Sequence, residues 1–177
     1  MNYCSGCHSL RYLRYDQLAK DLGLVRFSGQ VDAGLLSNLI FTSAKIPDPI
    51  QIAMPAAEAI QWFGLAPPDL SLVTRVRDPI WISNYLKGFY ADNRRPFGSN
   101  NFLVPDTAMP NVLYSLAGLS PKDQGAFIND LLSFLVYVGD PSRASRYQIG
   151  YKVLIFLGIF SLLAFFLKKT YWKKLLF

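Results

Sequence analysis

Apolar residues recur at helical spacing in two stretches of the body and become continuous near the end of the chain. After Ser120-Pro121-Lys122-Asp123, where a serine precedes a proline at the first helical position, Phe127, Leu131, Phe134, Leu135 and Val138 fall on one face until Gly139 and Pro141 stop the run. Asp78 before Pro79 opens a second helix, to about Tyr90, with Trp81, Tyr85 and Phe89 at i, i+4 and i+8. A third helix is predicted from about Ser9 to Leu22. Between them, KIPDPI, GLAPPDL and NRRPFGSNNFLVPDTAMPN are rich in proline and glycine, and alternating runs of strand length are scarce. The body reads as all-α with long loops. Loops of that length need a surface to pack on, which a large apolar cofactor would supply.

The last apolar run is of a different kind. From Ile149 to Leu167 the chain reads IGYKVLIFLGIFSLLAFFL, apolar on every face, followed by KKTYWKK. A domain this small cannot surround such a helix, and its length suits the hydrocarbon core, with Lys152 able to reach the interface. The expected organisation is a body over 1–146 and a C-terminal transmembrane anchor with a short basic tail over 147–177. Lys168, Lys169, Lys173 and Lys174 are expected on the cytoplasmic side, with Tyr171 and Trp172 at the headgroups and the body across the membrane. The net charge of +6 looks basic, but five lysines lie after the last acidic residue, Asp140. The remaining body is near neutral, so no nucleic-acid footprint is visible.

Candidate chemistry is concentrated at the start. Cys4, Cys7 and His8, within NYCSGCHSL, are the only cysteines and the only histidine of the 177 residues. A zinc site wants four N or S ligands and finds at most three here, and a thioredoxin-like dithiol wants a βαβ setting. Cys-x-x-Cys-His also suits covalent haem, with both thiols along one porphyrin edge and the adjacent imidazole turned beneath the iron. A second axial ligand would then be a methionine, since there is no second histidine. Met1 is too near the motif. Met54 and Met109 share the pattern Ala-Met-Pro, which does not choose between them, although Met109 sits in a long loop before the last helix of the body.

NYCSGCHSLRYLRYDQL, WFGLAPPDLSLVTRVRD, NNFLVPDTAMPNVL, FLVYVGDPSR and a C-terminal span occur in the order found in the cytochrome c1 family, and the chain resembles its proteobacterial form over nearly its whole length. The resemblance implies an all-α c-type haem domain on the periplasmic face of the bacterial inner membrane, held by one C-terminal helix. It implies one haem c attached at Cys4 and Cys7, with His8 as proximal and Met109 as distal ligand. It places Pro68 near the proximal side, Arg77 against a haem propionate and Trp81 at an assisting aromatic position. It implies partners: cytochrome b and the Rieske iron–sulfur protein within ubiquinol:cytochrome c reductase, membrane lipid around the anchor, and a soluble c-type cytochrome as acceptor. A signal sequence and a helix packing on the haem are implied ahead of Met1. The family often docks its soluble partner through acidic surface, whereas this body is near neutral. No side chain acts as acid, base or nucleophile in that scheme. Two other readings remain: a different membrane-anchored monohaem cytochrome feeding an oxidase, and a haem-free structural or assembly subunit with a Cys4–Cys7 disulfide.

Overall fold

The computed structural model describes residues 3–26, 28–40 and 42–175; Met1, a candidate ligand by sequence, and the Lys174 side chain lie outside the description. By its contacts the chain divides into a body ending at Gly139 and a second unit beginning at Asp140, so the expected boundary at 146/147 falls inside the long terminal helix.

The body contains strand β1 (Leu10–Arg14), helices α1 (Tyr15–Asp21) and α2 (Ala33–Ser37), strand β2 (Pro49–Ile50), helices α3 (Ala56–Phe63), α4 (Val73–Val76) and α5 (Pro79–Lys87), strands β3 (Phe89–Ala91) and β4 (Ser99–Asn101), and helix α6 (Pro121–Gly139). β1 pairs antiparallel with β2, and β3 with β4, as two separate two-stranded ribbons in a largely helical body.

Two of the predicted helices are shorter than expected. The segment after the opening motif begins as a strand because its backbone donors are taken across the fold: Arg11 N–H donates to Asp69 Oδ2 at 3.0 Å and Tyr12 N–H to Ser71 Oγ at 3.1 Å. Only from Tyr15 does the chain turn helical. The Asp78-capped helix stops at Lys87 rather than Tyr90, and Phe89 and Tyr90 enter the β3–β4 ribbon instead. Its start is as expected, with Asp78 Oδ1 accepting from Ile80 N–H at 2.7 Å.

α6 runs over the predicted residues and buries Ile128, Leu132, Leu135 and Val138. Its last carbonyls have no partner within the helix. α4 answers part of that need, with Arg75 Nε donating to Gly139 O at 3.2 Å, and Thr74 Oγ1 adds a second donor to Leu135 O at the same distance.

Two apolar clusters hold the body. Leu10, Leu13, Tyr15, Leu18, Ala19, Leu36, Ile50 and Val138 unite β1, α1, α2, β2 and the end of α6. Ile82, Ile128 and Leu132, with Val73, Trp81, Leu86, Leu113 and Phe127 against them, unite α4, α5 and α6. Each fully buried leucine, such as Leu13 or Leu18, contributes roughly 1.5–3 kcal/mol relative to exposure.

The second unit is α7 (Arg143–Leu175). Over Arg143–Lys173 it is long and apolar enough to cross a membrane, with a mean hydropathy of 2.2 in its most apolar window and none of that window buried by protein. In water such a surface is untenable, and lipid is the solvent that satisfies it.

Candidate functional site

The opening motif is folded by its own backbone. Cys7 N–H and His8 N–H both donate to Cys4 O, at 3.1 and 2.8 Å, closing a turn that brings Cys4, Cys7 and His8 to one wall of a cavity of about 350 Å³. Ser9 fixes the exit of the turn: its Oγ accepts from Ile52 N–H at 3.1 Å and its carbonyl from Leu70 N–H at 3.0 Å. Cys4 and Cys7 are not joined to each other. Burial raises the Cys4 thiol above its ordinary value, so it stays protonated at neutral pH.

His8 Nδ1 lies 2.7 Å from Pro68 O. A carbonyl oxygen can only accept, so in the neutral ring Nδ1 carries the hydrogen and Nε2 keeps its lone pair. Pro68 is held through its neighbour Asp69. That carboxylate accepts from Ser71 N–H at 2.8 Å through Oδ1 and from Arg11 N–H at 3.0 Å through Oδ2, which ties this segment to β1. Burial works to raise the Asp69 carboxyl, but these donors and the Ser71 hydroxyl outweigh it and hold the group below its ordinary value.

The facing surface comes from α4, α5, α6 and the loop after β4. Val73, Trp81, Ile82, Leu86, Leu131 and Leu135 give the cavity an apolar lining, and Met109 reaches it from the loop. Met54, the other described methionine, does not line it. Pro68 and Trp81 line it, but Arg77 does not: it is exposed, with its guanidinium carbon 4.8 Å from the centre of the Trp81 ring.

The Met109 loop is organised by polar residues that sequence reasoning missed. Asn101 is fully buried and its amide bonds to backbone on both sides: Nδ2 donates to Tyr85 O at 2.7 Å, while Oδ1 accepts from Leu103 and Val104 N–H at 2.9 and 3.2 Å. Asn100 Oδ1 accepts from Asp106 N–H at 2.8 Å, and Ser99 Oγ from Asn111 N–H at 3.1 Å. Arg95 clamps the same loop through Asp106 Oδ1 at 3.0 Å and Asp106 O at 2.8 Å. Asp106 itself sits at φ 62°, a left-handed backbone that aspartate tolerates better than most residues. The signal was present as Asn-Asn ahead of a proline-rich turn, since asparagine caps and turns backbone, but polarity by itself points to the surface rather than to a buried brace.

The cavity can be tested against haem on this geometry. Its wall is apolar, two unpaired thiols and one histidine share it, the histidine's second nitrogen is fixed by a carbonyl, and a thioether lines the same space from a separate loop. That donor set fits haem iron with covalent attachment. It does not fit zinc: among the described residues no three His, Cys, Asp or Glu side chains converge as metal ligands.

The family model described as the Cytochrome C1 family matches residues 1–175. A protein named cytochrome c1 from Allochromatium vinosum is 43% identical, covering 98% of this chain and 80% of the relative. The ammonia monooxygenase gamma subunit of Nitrosomonas europaea is 32% identical, over 98% of this chain and 79% of the relative. Cytochrome c1 from Rhodospirillum rubrum is 27% identical, over 96% and 76%.

Proposed function

The chain belongs to the cytochrome c1 family, and from this premise we propose that it is the electron-carrying haem subunit of a ubiquinol:cytochrome c reductase complex, receiving one electron from a Rieske iron–sulfur centre and passing it to a soluble c-type cytochrome. The observation that carries the reading is the His8 Nδ1 to Pro68 O contact of 2.7 Å on a cavity shared with Cys4, Cys7 and Met109. When bound, the haem iron supplies a one-electron couple.

The chain's own residues divide the remaining work. Cys4 and Cys7 are the thiols that would attach to the two vinyl groups. The Pro68 carbonyl keeps His8 in the tautomer and orientation a metal needs, and makes its free nitrogen more basic. Met109 would supply the second ligand. The apolar wall from α4, α5 and α6 excludes water, which disfavours the more highly charged oxidised site and so raises the potential. Arg77, exposed outside the cavity with its guanidinium over the cavity-lining Trp81, would be the cation for a propionate reaching the surface, with Trp81 steadying it. α7 anchors the subunit, with the body in the periplasm and beside cytochrome b.

The test uses the full chain purified from membranes. A c-type haemochrome should appear, haem should remain on the polypeptide through denaturing electrophoresis, and cytochrome b and a Rieske protein should co-purify. Haem fully stripped by acid acetone would sink the attachment at Cys4 and Cys7. A haem-bearing protein that brings neither partner would instead favour a monohaem cytochrome feeding an oxidase.

A further inference from the structure

Two hydroxyl groups meet on the cavity wall beside the Met109 loop. Tyr85 Oη and Thr107 Oγ1 are 2.8 Å apart, and both residues line the cavity. Tyr85 is not free to swing. Its ring stacks on Trp81 at 5.5 Å and meets Phe89 edge-on at 5.3 Å, and its carbonyl accepts from Asn101 Nδ2. The rigid helix α5 therefore grips the loop twice, once through the Tyr85 backbone and once through its hydroxyl.

Thr107 stands two residues before Met109, a span of at most about 7 Å of extended chain. On the other side, Pro110 has a fixed φ and Asn111 N–H is held by Ser99 Oγ at 3.1 Å. The thioether is thus carried on a short bridge with a pin at each end. Ser99 and its neighbours belong to the ribbon, whereas the Tyr85–Thr107 pair reaches the bridge from the cavity side. Burial holds the Tyr85 hydroxyl above its ordinary pKa, against the opposing effect of the Thr107 contact, which keeps it neutral and able to donate or accept.

We propose that Tyr85 is the positioning residue for Met109: through its hydroxyl bond to Thr107 it holds the bridge against α5, and so sets how readily another ligand displaces the thioether from the iron. The inference rests on Met109 being the distal ligand, and the test separates the two claims.

The measurement is imidazole binding to the oxidised, haem-bearing full chain in detergent, followed by loss of the methionine-to-iron charge-transfer band. Tyr85→Phe and Thr107→Val should each tighten imidazole binding about fivefold, the size of one net hydrogen bond. Because both remove the same bond, the double variant should match the singles, and Thr107→Ser should behave as the wild type. Wild-type affinity in both single variants would overturn the proposal, as would an additive double variant. A lowered melting temperature with unchanged imidazole affinity would also overturn it, since that is all a purely structural tyrosine would give. If the wild type shows no such band, and Met109→Leu binds imidazole as the wild type does, the ligand assignment itself fails.

Discussion

At the scale of single residues, two side chains decide whether the cavity can serve an iron. His8 matters because its Nδ1 is already committed to Pro68 O, which leaves a defined lone pair on the other nitrogen. Met109 matters because a thioether favours ferrous over ferric iron, so its loss should lower the reduction potential and open a coordination position. Met109→Leu should fold, at a packing cost below about 1.5 kcal/mol, since the volumes are similar. It should lose the charge-transfer band and bind carbon monoxide when reduced, while Met54→Leu, off the cavity, should do neither. The reverse pattern in redox titration and carbon monoxide binding would reassign the ligand. The motif residues were legible because Cys-x-x-Cys-His is local chemistry, whereas Tyr85 and Thr107 meet across 22 positions and nothing in either neighbourhood announces the pair.

At the scale of elements, the features illegible in the sequence share one physical cause: backbone groups satisfied by partners distant in the chain. LRYLR became strand rather than helix because Asp69 and Ser71 accept from Arg11 and Tyr12. The Asp78-capped helix ended early because Phe89 and Tyr90 pair with Asn101 and Asn100 in the ribbon, and Gly88 allows the exit, since a Cβ there would stand 2.9 Å from Asn84 O and 3.3 Å from Asn101 Oδ1. The bounds of α6 were legible, since a Ser-Pro start and a Gly-x-Pro stop are local, but its face only in part: Leu135 and Val138 are buried as expected, together with Ile128 and Leu132, while Phe127, Leu131 and Phe134 are half-buried. Asn101 makes the dependence testable. Asn101→Ala would strip the partner from Leu103 N–H and Val104 N–H at a fully buried side chain, and would leave Tyr85 O with Gly88 N–H alone. With about 1–3 kcal/mol for each of the two donors left unpaired, a total loss of roughly 2–6 kcal/mol is expected in chemical denaturation. The same variant should lose the charge-transfer band at denaturant concentrations where the α6 helix is still intact, because the brace serves the Met109 loop and not the core. A loss under about 1 kcal/mol would show that the loop is held by other means.

At the scale of the whole molecule, charge at the two ends of the apolar helix bears on which way it would cross the bilayer. Helix α7 is 33 residues long, roughly 50 Å at 1.5 Å per residue, against a hydrocarbon core of about 30 Å, so both ends stand in the headgroups or beyond. Cations occur at each end. Arg143, Arg146 and Lys152 lie toward the body, and Lys168, Lys169, Lys173 and Lys174 after the span. The positive-inside rule therefore prefers a cytoplasmic tail only by a small margin, and Asp140, which pairs with Arg146, adds little to the decision. The anchoring features at the far end are clearer: Lys168 sits 5.2 Å from the Trp172 ring, and Tyr171 adjoins it, as expected of residues at a headgroup layer. The thiol pair and histidine of the body add further weight, since a c-type haem attached at Cys4 and Cys7, as proposed, would place the body outside the cytoplasm. Trypsin added to intact spheroplasts should therefore digest the body while leaving the tail whole, with a C-terminal fragment running from near Arg146 or Lys152 to Phe177 recovered by mass spectrometry. Cleavage after Lys173 in intact spheroplasts would reverse the topology, and with it the compartment in which Cys4 and Cys7 could receive a haem.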